Sequence, residues 1–441
     1  MAALFGTDGV RGTYGVDLTD ELAFRLGRAA ALVLARGHPH PRILIARDTR
    51  ASGLPLERGL AGGFLAAGAD PLSAGVLPTP GLARLVIELG AEAGAMISAS
   101  HNPAGDNGIK FFGRDGMKLP DEVEYAIEEA MGESDGSAAP GTAEPLPDAE
   151  ERYLAFLLEG MPTLRGLRIV VDCANGAASR VAPEAYRRAG AQVVAINDAP
   201  DGSNINDACG STHPETLQRA VVDSGADAGL AHDGDADRLI AVDETGGIVD
   251  GDQILAICAL DALERGALAN RAVVSTVMAN LGLRRSMAAK GIEVVETQVG
   301  DRYVLEAMRD KGIVIGGEQS GHIVFLDRHT TGDGILTGLR LLSIAATSKQ
   351  PLSKLATVSP RLPQHLVAVP VRDRGALASA TSVWDAVRSI EAELGDDGRV
   401  LVRASGTEPV IRVMAEATTD DAARSAVERI AAAVKSSLGT A

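Results

Sequence analysis

Apolar positions along the chain follow two alternating periods. Between Asp20 and Arg36 they fall at Leu22, Leu26, Ala29, Ala30 and Val33, the spacing of one helix face. The run Arg42-Ile43-Leu44-Ile45-Ala46 then reads as a buried strand. Gly94–Ser98 is a second short apolar strand, and it runs into Ser-His-Asn-Pro. The pattern restarts with a strand Leu167–Asp172, a turn at Asn175-Gly176, a helix Ala177–Ala189 and a strand Gln192–Ile196. It restarts again near Gly251 with a helix to Arg265, a strand Val273–Val277, a helix Leu283–Lys290 and a strand Ile292–Thr297. A helix Arg302–Arg309 and a strand Ile313–Gly317 complete that unit. Such alternation predicts α/β sandwich domains.

Two departures divide the chain. Gly132–Glu150 holds Pro140, Pro145 and Pro147 among Gly, Ser, Asp and Glu, and reads as an exposed linker. From Gln364 the order changes to strand, helix (Val383–Leu394), strand (Val400–Ala404), strand (Val410–Ala417) and helix (Asp420–Ser436), a small α+β unit around a hairpin. The expected domains are therefore 1–150, 151–250, 251–363 and 364–441. A chain of 441 residues suits that number, since domains usually run roughly 100–200 residues.

Composition narrows the partners. Aromatics are only 3% of the chain, so its cores must be packed with Ala, Val, Leu and Ile. The net charge of −17 speaks against nucleic acid, which calls for a basic surface. A few arginines in a cleft can still hold a small anion. Cys173, Cys209 and Cys258 form no C-x-x-C pair, which argues against a disulfide framework or a zinc site and for a reducing cytoplasm. No signal-peptide pattern opens the chain, and no apolar stretch approaches the roughly 20 residues of a membrane span.

Four polar islands sit where strands end, the usual place for a site in an α/β protein. In Ser98-Ala99-Ser100-His101-Asn102-Pro103, Pro103 stops the strand and the Ser100 hydroxyl is expected to stand out. Read locally, the same residues make a capped turn. In His232-Asp233-Gly234-Asp235-Ala236-Asp237-Arg238, three carboxylates alternate with small residues, so that their oxygens can converge on a hard cation such as Mg²⁺. An EF-hand register exists, with Glu244 at its twelfth place, but Arg238 stands where that loop needs Gly and the flanks read as strands. Gly316–His322 brings Glu318, Gln319, Ser320 and His322 to a glycine-rich turn, suited to a polyhydroxyl ligand or simply to a polar hairpin. Arg403-Ala404-Ser405-Gly406-Thr407-Glu408-Pro409, with Arg412, combines hydroxyls, guanidiniums and a glycine turn into an anion nest. Two smaller groups accompany these. Arg11 lies on the turn Thr7–Gly12, and Lys110 lies inside an apolar strand where burial is expected to lower its pKa toward acid/base use. A water-exposed edge-strand lysine is the equal alternative. No nucleotide-binding G-x-x-x-x-G-K-[ST] or strand–G-x-G-x-x-G pattern is present.

In this order, Ile97–Pro103, Asp233–Arg238, Gly317–His322 and Arg403–Pro409 resemble the phosphoserine, metal, sugar and phosphate loops of the α-D-phosphohexomutase superfamily, across the whole chain. The resemblance implies three similar α/β sandwich domains with mixed sheets and a smaller C-terminal α+β domain around a central cleft. It implies a phosphoryl group carried on Ser100, and one Mg²⁺ held by Ser100, Asp233, Asp235 and Asp237. Lys110, His101, Arg11 and His322 are the implied acid/base or charge-stabilising residues. Arg238, Glu318, Ser320, Arg403, Ser405, Gly406, Thr407 and Arg412 are the implied substrate contacts. Gln319 resembles the branch acting on an amino sugar, so the implied intermediate is glucosamine 1,6-bisphosphate. A neutral-sugar mutase and, more distantly, a metal-dependent sugar phosphatase are the alternatives. The implied partner is a small phosphosugar, with no nucleic acid and no membrane, and the implied assembly is a homodimer. His232 departs from the resemblance, since many relatives have Gly there, and is not expected to affect ligation.

Overall fold

The computed structural model describes residues 4–440 apart from 7, 36, 39, 134–140, 406 and 407. Its contacts group into two compact units: Met1–Met278 with Ile292–Val358, and Ala279–Gly291 with Ser359–Ala441. Among the described residues no helix is long and apolar enough to cross a membrane.

The first unit contains three mixed sheets of six, five and four strands. Each has parallel strands at its middle and one antiparallel pair that matters for the site. In the first sheet Ala93–Ile97 pairs antiparallel with Asp106–Gly113. In the second, Ala228–His232 pairs antiparallel with Leu239–Asp243. In the third, Ile315–Gly317 pairs antiparallel with Ile323–Phe325. The second unit has a three-stranded antiparallel sheet, and there Gly398–Ala404 pairs with Val410–Ala417. All four polar islands are thus the turns of antiparallel strand pairs. The strands flanking Asp233–Arg238 also dispose of the EF-hand register, which requires helices.

The cores are as aromatic-poor as the composition implies. Ile43, Leu44, Ile45, Leu60 and Ala61 are fully buried in the first sheet layer. Its helices Asp20–Leu34 and Gly53–Ala66 approach so closely that a Cβ on Gly63 would lie 2.1 Å from the Phe24 carbonyl oxygen. The former helix starts at Thr19, whose hydroxyl accepts the Leu22 N–H.

One expectation is corrected. The segment read as a linker contains a strand, Glu144–Pro145, which extends the first sheet beside Asp70–Val76. Pro145 is tolerated because the strand is the sheet's edge, where a missing N–H leaves no ladder bond unmade. The helix Leu281–Ala289 falls in the third α/β unit along the chain, and its contacts group with the C-terminal residues. There the Leu281 N–H donates to Glu416 Oε2 at 2.9 Å, and Arg399 pairs with the same carboxylate at 2.6 Å.

Asp333 caps the helix Gly334–Ser348 and accepts the Tyr153 hydroxyl at 2.9 Å. Burial lifts its carboxyl to about 7, against the pull of the Leu336 N–H and that hydroxyl. A raised folded-state pKa means stability that is present in acid and lost as pH climbs through the folded value. Between about pH 4 and pH 7, stability should fall by at most about 1.4 kcal/mol per pH unit from this group. Asp333→Asn should flatten that slope, checked by denaturant midpoints across the range.

Candidate active site

Ile97 ends its strand and the chain turns over residues 98–105. Ser100 sits there at φ 50°, a left-handed conformation that costs a non-glycine residue about 1 kcal/mol. Its N–H donates to Ser98 Oγ at 2.9 Å, and Ser98 Oγ in turn donates to the buried Asp48 at 2.6 Å. The hydroxyl does not stand out as the sequence suggests, because Ser100 is 3% exposed. The metal-type loop of the second sheet covers it, and Ser100 Oγ donates to Asp233 Oδ2 at 2.7 Å. His101 Nδ1 lies 3.2 Å from the same Oγ. Burial first, then the charges of Arg238 and Arg11, push the His101 imidazole down to about 4, so it is neutral at physiological pH.

Asp233, Asp235 and Asp237 are all buried, and each offers an oxygen within 4.8 Å of the others'. Burial and then the charges of Asp237 and Asp235 hold the Asp233 carboxyl well above the usual range; Asp235 is raised by burial and Asp237. Asp235 Oδ1 and Asp237 Oδ1 are buried without a hydrogen-bond partner. Hard oxygen donors that crowd together and lack partners suit a divalent cation such as Mg²⁺. Gly234 makes the overlap with the serine loop feasible: a Cβ there would stand 2.5 Å from the Ser100 carbonyl oxygen. The triad loop is braced by the first residues of two helices, Thr79–Leu89 and Gly334–Ser348. Asp235 accepts the Thr79 hydroxyl at 2.6 Å, and the Gly334 N–H donates to the Ala236 carbonyl at 3.0 Å. His232 takes no part in the triad. It is fully buried, stacks on Tyr186 and is pushed down to about 4 by burial.

Lys110 lies on the strand Asp106–Gly113 with its Nζ 2.7 Å from Asp8 Oδ1. The predicted lowering of its pKa is overturned. Burial does pull downward, but Asp8, Asp235, Asp237 and Asp301 outweigh it and hold the ammonium above its ordinary range. Asp8 also pairs with Arg11 and lies 3.4 Å from Lys118 Nζ. Lys118 is in turn 3.9 Å from Asp301 Oδ1. Asp8, Lys118 and Asp301 escaped the sequence reading. Only Asp8 had a signal there, as part of the Thr7–Gly12 turn. Arg238 is a partly buried cation; desolvation pulls its pKa down, but Asp237, Asp233 and Glu318 more than restore it. His322 is 2% exposed, with Nε2 3.9 Å from Asp237 Oδ2.

The turn carrying Glu318 and Ser320 is tied to the triad strand, since the Leu239 N–H donates to the Gly321 carbonyl at 3.0 Å. Glu318 Oε1 accepts the Gly300 N–H at 3.1 Å, and Ser320 is exposed at the tip. The first unit therefore assembles Arg11, Ser100, His101, Lys110, the three aspartates, Arg238, Glu318, Ser320 and His322 from three hairpin turns and the paired strands Val10–Thr13 and Asp106–Gly113.

In the C-terminal unit Arg403 and Arg412 are cross-strand partners. Burial and the charge of Arg412 lower the Arg403 pKa, a strain that a bound anion would relieve. Ser405 is buried, its hydroxyl accepts the Glu408 N–H at 3.3 Å, and its carbonyl accepts Arg374 at 2.8 Å. Arg374 had no sequence signal. Gly406 and Thr407 lie outside the described residues.

Comparisons agree with this layout. Phosphoglucomutase/phosphomannomutase alpha/beta/alpha domains I, II and III match residues 2–137, 151–247 and 250–361, and the C-terminal domain of that family matches 366–433. A phosphoglucosamine mutase of Thermobifida fusca is 54% identical, with 99% of each chain covered. This chain belongs to the phosphoglucosamine mutase family. Within the phosphohexomutase superfamily, members of that family are isomerases of the phosphotransferase type, and so is this chain. A solved phosphoglucomutase/phosphomannomutase family protein from Burkholderia thailandensis superposes with a TM-score of 0.83 at 27% identity, covering 99% of both chains. An Aspergillus fumigatus N-acetylphosphoglucosamine mutase, solved in complex with GlcNAc-6P and magnesium, shares the fold at a TM-score of 0.70 and 21% identity, covering 99% of this chain and 96% of its own.

Proposed function

We propose that the chain interconverts glucosamine 6-phosphate and glucosamine 1-phosphate through a phosphoserine on Ser100 and glucosamine 1,6-bisphosphate. The observation that carries this reading is the 2.7 Å contact between Ser100 Oγ and Asp233, which joins a nucleophile to a cation-binding triad.

Asp233, Asp235, Asp237 and an oxygen of the phosphorylated serine would hold one Mg²⁺. Bound there, the ion supplies electrostatic stabilisation of charge on the transferring phosphoryl group. In the first half-reaction the Oγ–P bond at Ser100 breaks and a new O–P bond forms at the sugar 1-hydroxyl. The proton of that hydroxyl ends on Ser100 Oγ as it is released, which balances the half-reaction. His101, beside Ser100 Oγ and uncharged at neutral pH, is suited to take that proton when Oγ attacks the second phosphoryl group and to pass it to the departing sugar oxygen. Lys110, kept protonated by Asp8, stabilises the anionic oxygens as a fixed cation, together with Arg11 and Arg238. His322 adds a further donor next to Asp237. The bisphosphate then reverses, Ser100 recovers the 6-phosphoryl group, and the 1-phosphate leaves. Glu318 and Ser320 hold sugar hydroxyls in both orientations. Arg403, Ser405, Gly406, Thr407 and Arg412 grip the phosphate that is not reacting.

Side-by-side turnover of glucosamine, glucose and mannose 6-phosphates tests the substrate. Glucosamine 6-phosphate should have the highest kcat/KM, and its being the poorest of the three overturns the reading.

A further inference from the structure

The Ser100 carbonyl oxygen is gripped from two domains. Arg50 is completely buried, and Asp48 fixes it through Nε at 2.9 Å. The far end of its guanidinium fans out over the serine turn. Nη2 donates to the carbonyls of Ser100 at 3.0 Å and Asn102 at 2.8 Å, and Nη1 donates to Asp106 at 2.9 Å and to Pro103. Asn206 reaches the same turn from the second sheet's domain. Its Nδ2 donates to Ser100 O at 2.9 Å and to Asn102 O at 3.0 Å, the two carbonyls that Arg50 Nη2 also binds. Asn206 is itself held at φ 58°, with its N–H on the Ala174 carbonyl at 2.9 Å. Gly234 of the aspartate loop closes over the spot, and a Cβ there would be 2.9 Å from Asn206 Nδ2.

We propose that Asn206 and Arg50 are positioning residues that set the direction of Ser100 Oγ by fixing its carbonyl. Neither touches the reacting atoms. Ser100 occupies an unfavourable left-handed conformation, and a hydrogen-bonded carbonyl on each side of His101 is what prevents the peptide from relaxing. Asn206 has a second consequence. Because it belongs to the domain that carries the triad, it ties the serine's backbone to the same body as the aspartates. Serine and triad then stay in register when a phosphoryl group replaces the hydroxyl hydrogen and breaks the Ser100–Asp233 bond. This inference rests on the phosphoserine reading above.

The test uses Asn206→Ala and Asn206→Asp, which leave the buried Arg50 intact, and Arg50→Lys as the stronger variant. The rate at which a sugar 1,6-bisphosphate loads Ser100 is followed by intact mass, alongside kcat and KM. Asn206→Ala should lower kcat and the loading rate together by about 10- to 100-fold, as expected for a mispositioned reacting group. KM should stay within about 2-fold and Tm close to wild type. Asn206→Asp, which turns a donor into a repelled carboxylate, should lose at least as much. Unchanged kcat, or a loss that only follows the folded fraction, overturns the proposal even if Arg50→Lys fails to fold. Failure of wild type to acquire phosphate defeats the phosphoserine reading instead.

Discussion

Ser100→Ala should abolish turnover, with a fall in kcat of roughly 10⁴-fold or more, the scale seen when a covalent nucleophile is removed. Intact mass should show no phosphoryl group after incubation with a sugar 1,6-bisphosphate, where wild type gains one. The fold should survive, because the change deletes the Oγ hydrogen bond to Asp233 and the 3.2 Å contact with His101 Nδ1, together worth about 1–3 kcal/mol. That cost separates a chemical defect from a structural one, and denaturant unfolding measures it. Undiminished activity in the variant would remove Ser100 from the mechanism.

The second large effect concerns the triad, where activity and stability should move in opposite directions. Asp235 is buried, carries an unpartnered Oδ1 and is held above the usual carboxylate range by burial and Asp237. Its ionised form is thus disfavoured in the folded chain unless a cation is present. Asp235→Asn keeps an acceptor for the Thr79 hydroxyl but removes one negative charge. Turnover with magnesium should drop by about 10²–10³-fold, as on loss of one strong electrostatic partner. In chelator, however, the variant should melt at a higher temperature than wild type, and the rise in Tm on adding magnesium should shrink. Calorimetry with and without the ion reads both. Full activity of the chelated wild type would overturn the cation assignment.

Much of this site was legible because its parts are local. Each island announced itself as a break in an apolar strand, and the periodicity that located the strands also located the turns. What depends on distant residues was not legible. The burial of Ser100 comes from Asp233 and Gly234, and the hydrogen bond concerned spans 133 positions. The state of Lys110 could not be read from its apolar neighbours, since Asp8 and Asp301 reverse what burial alone would do. Lys118 and Asp301 stand in no motif, and their nearness exists only once two sheets are side by side. Pro145 was misjudged for the opposite reason: a residue that forbids a central strand says nothing against an edge.

The hairpin placement of all four loops has a consequence for how such a protein can change. A turn between two paired strands has its ends fixed by the ladder beneath it, so its composition is uncoupled from the register of the sheet. Gly317–His322 is anchored in this way by the pairing of Gly317 with Ile323. At its base the Leu239 N–H donates to the Gly321 carbonyl, and the Gly251 N–H donates to the Gln319 carbonyl. The tip residues are accordingly the exchangeable part of the molecule, and the glycines and carbonyls at the base are its sockets. On the proposed reading, in which this turn holds the sugar, altered sugar preference would arise by rewriting its tip, while the serine, the aspartates and the strands that present them are left untouched.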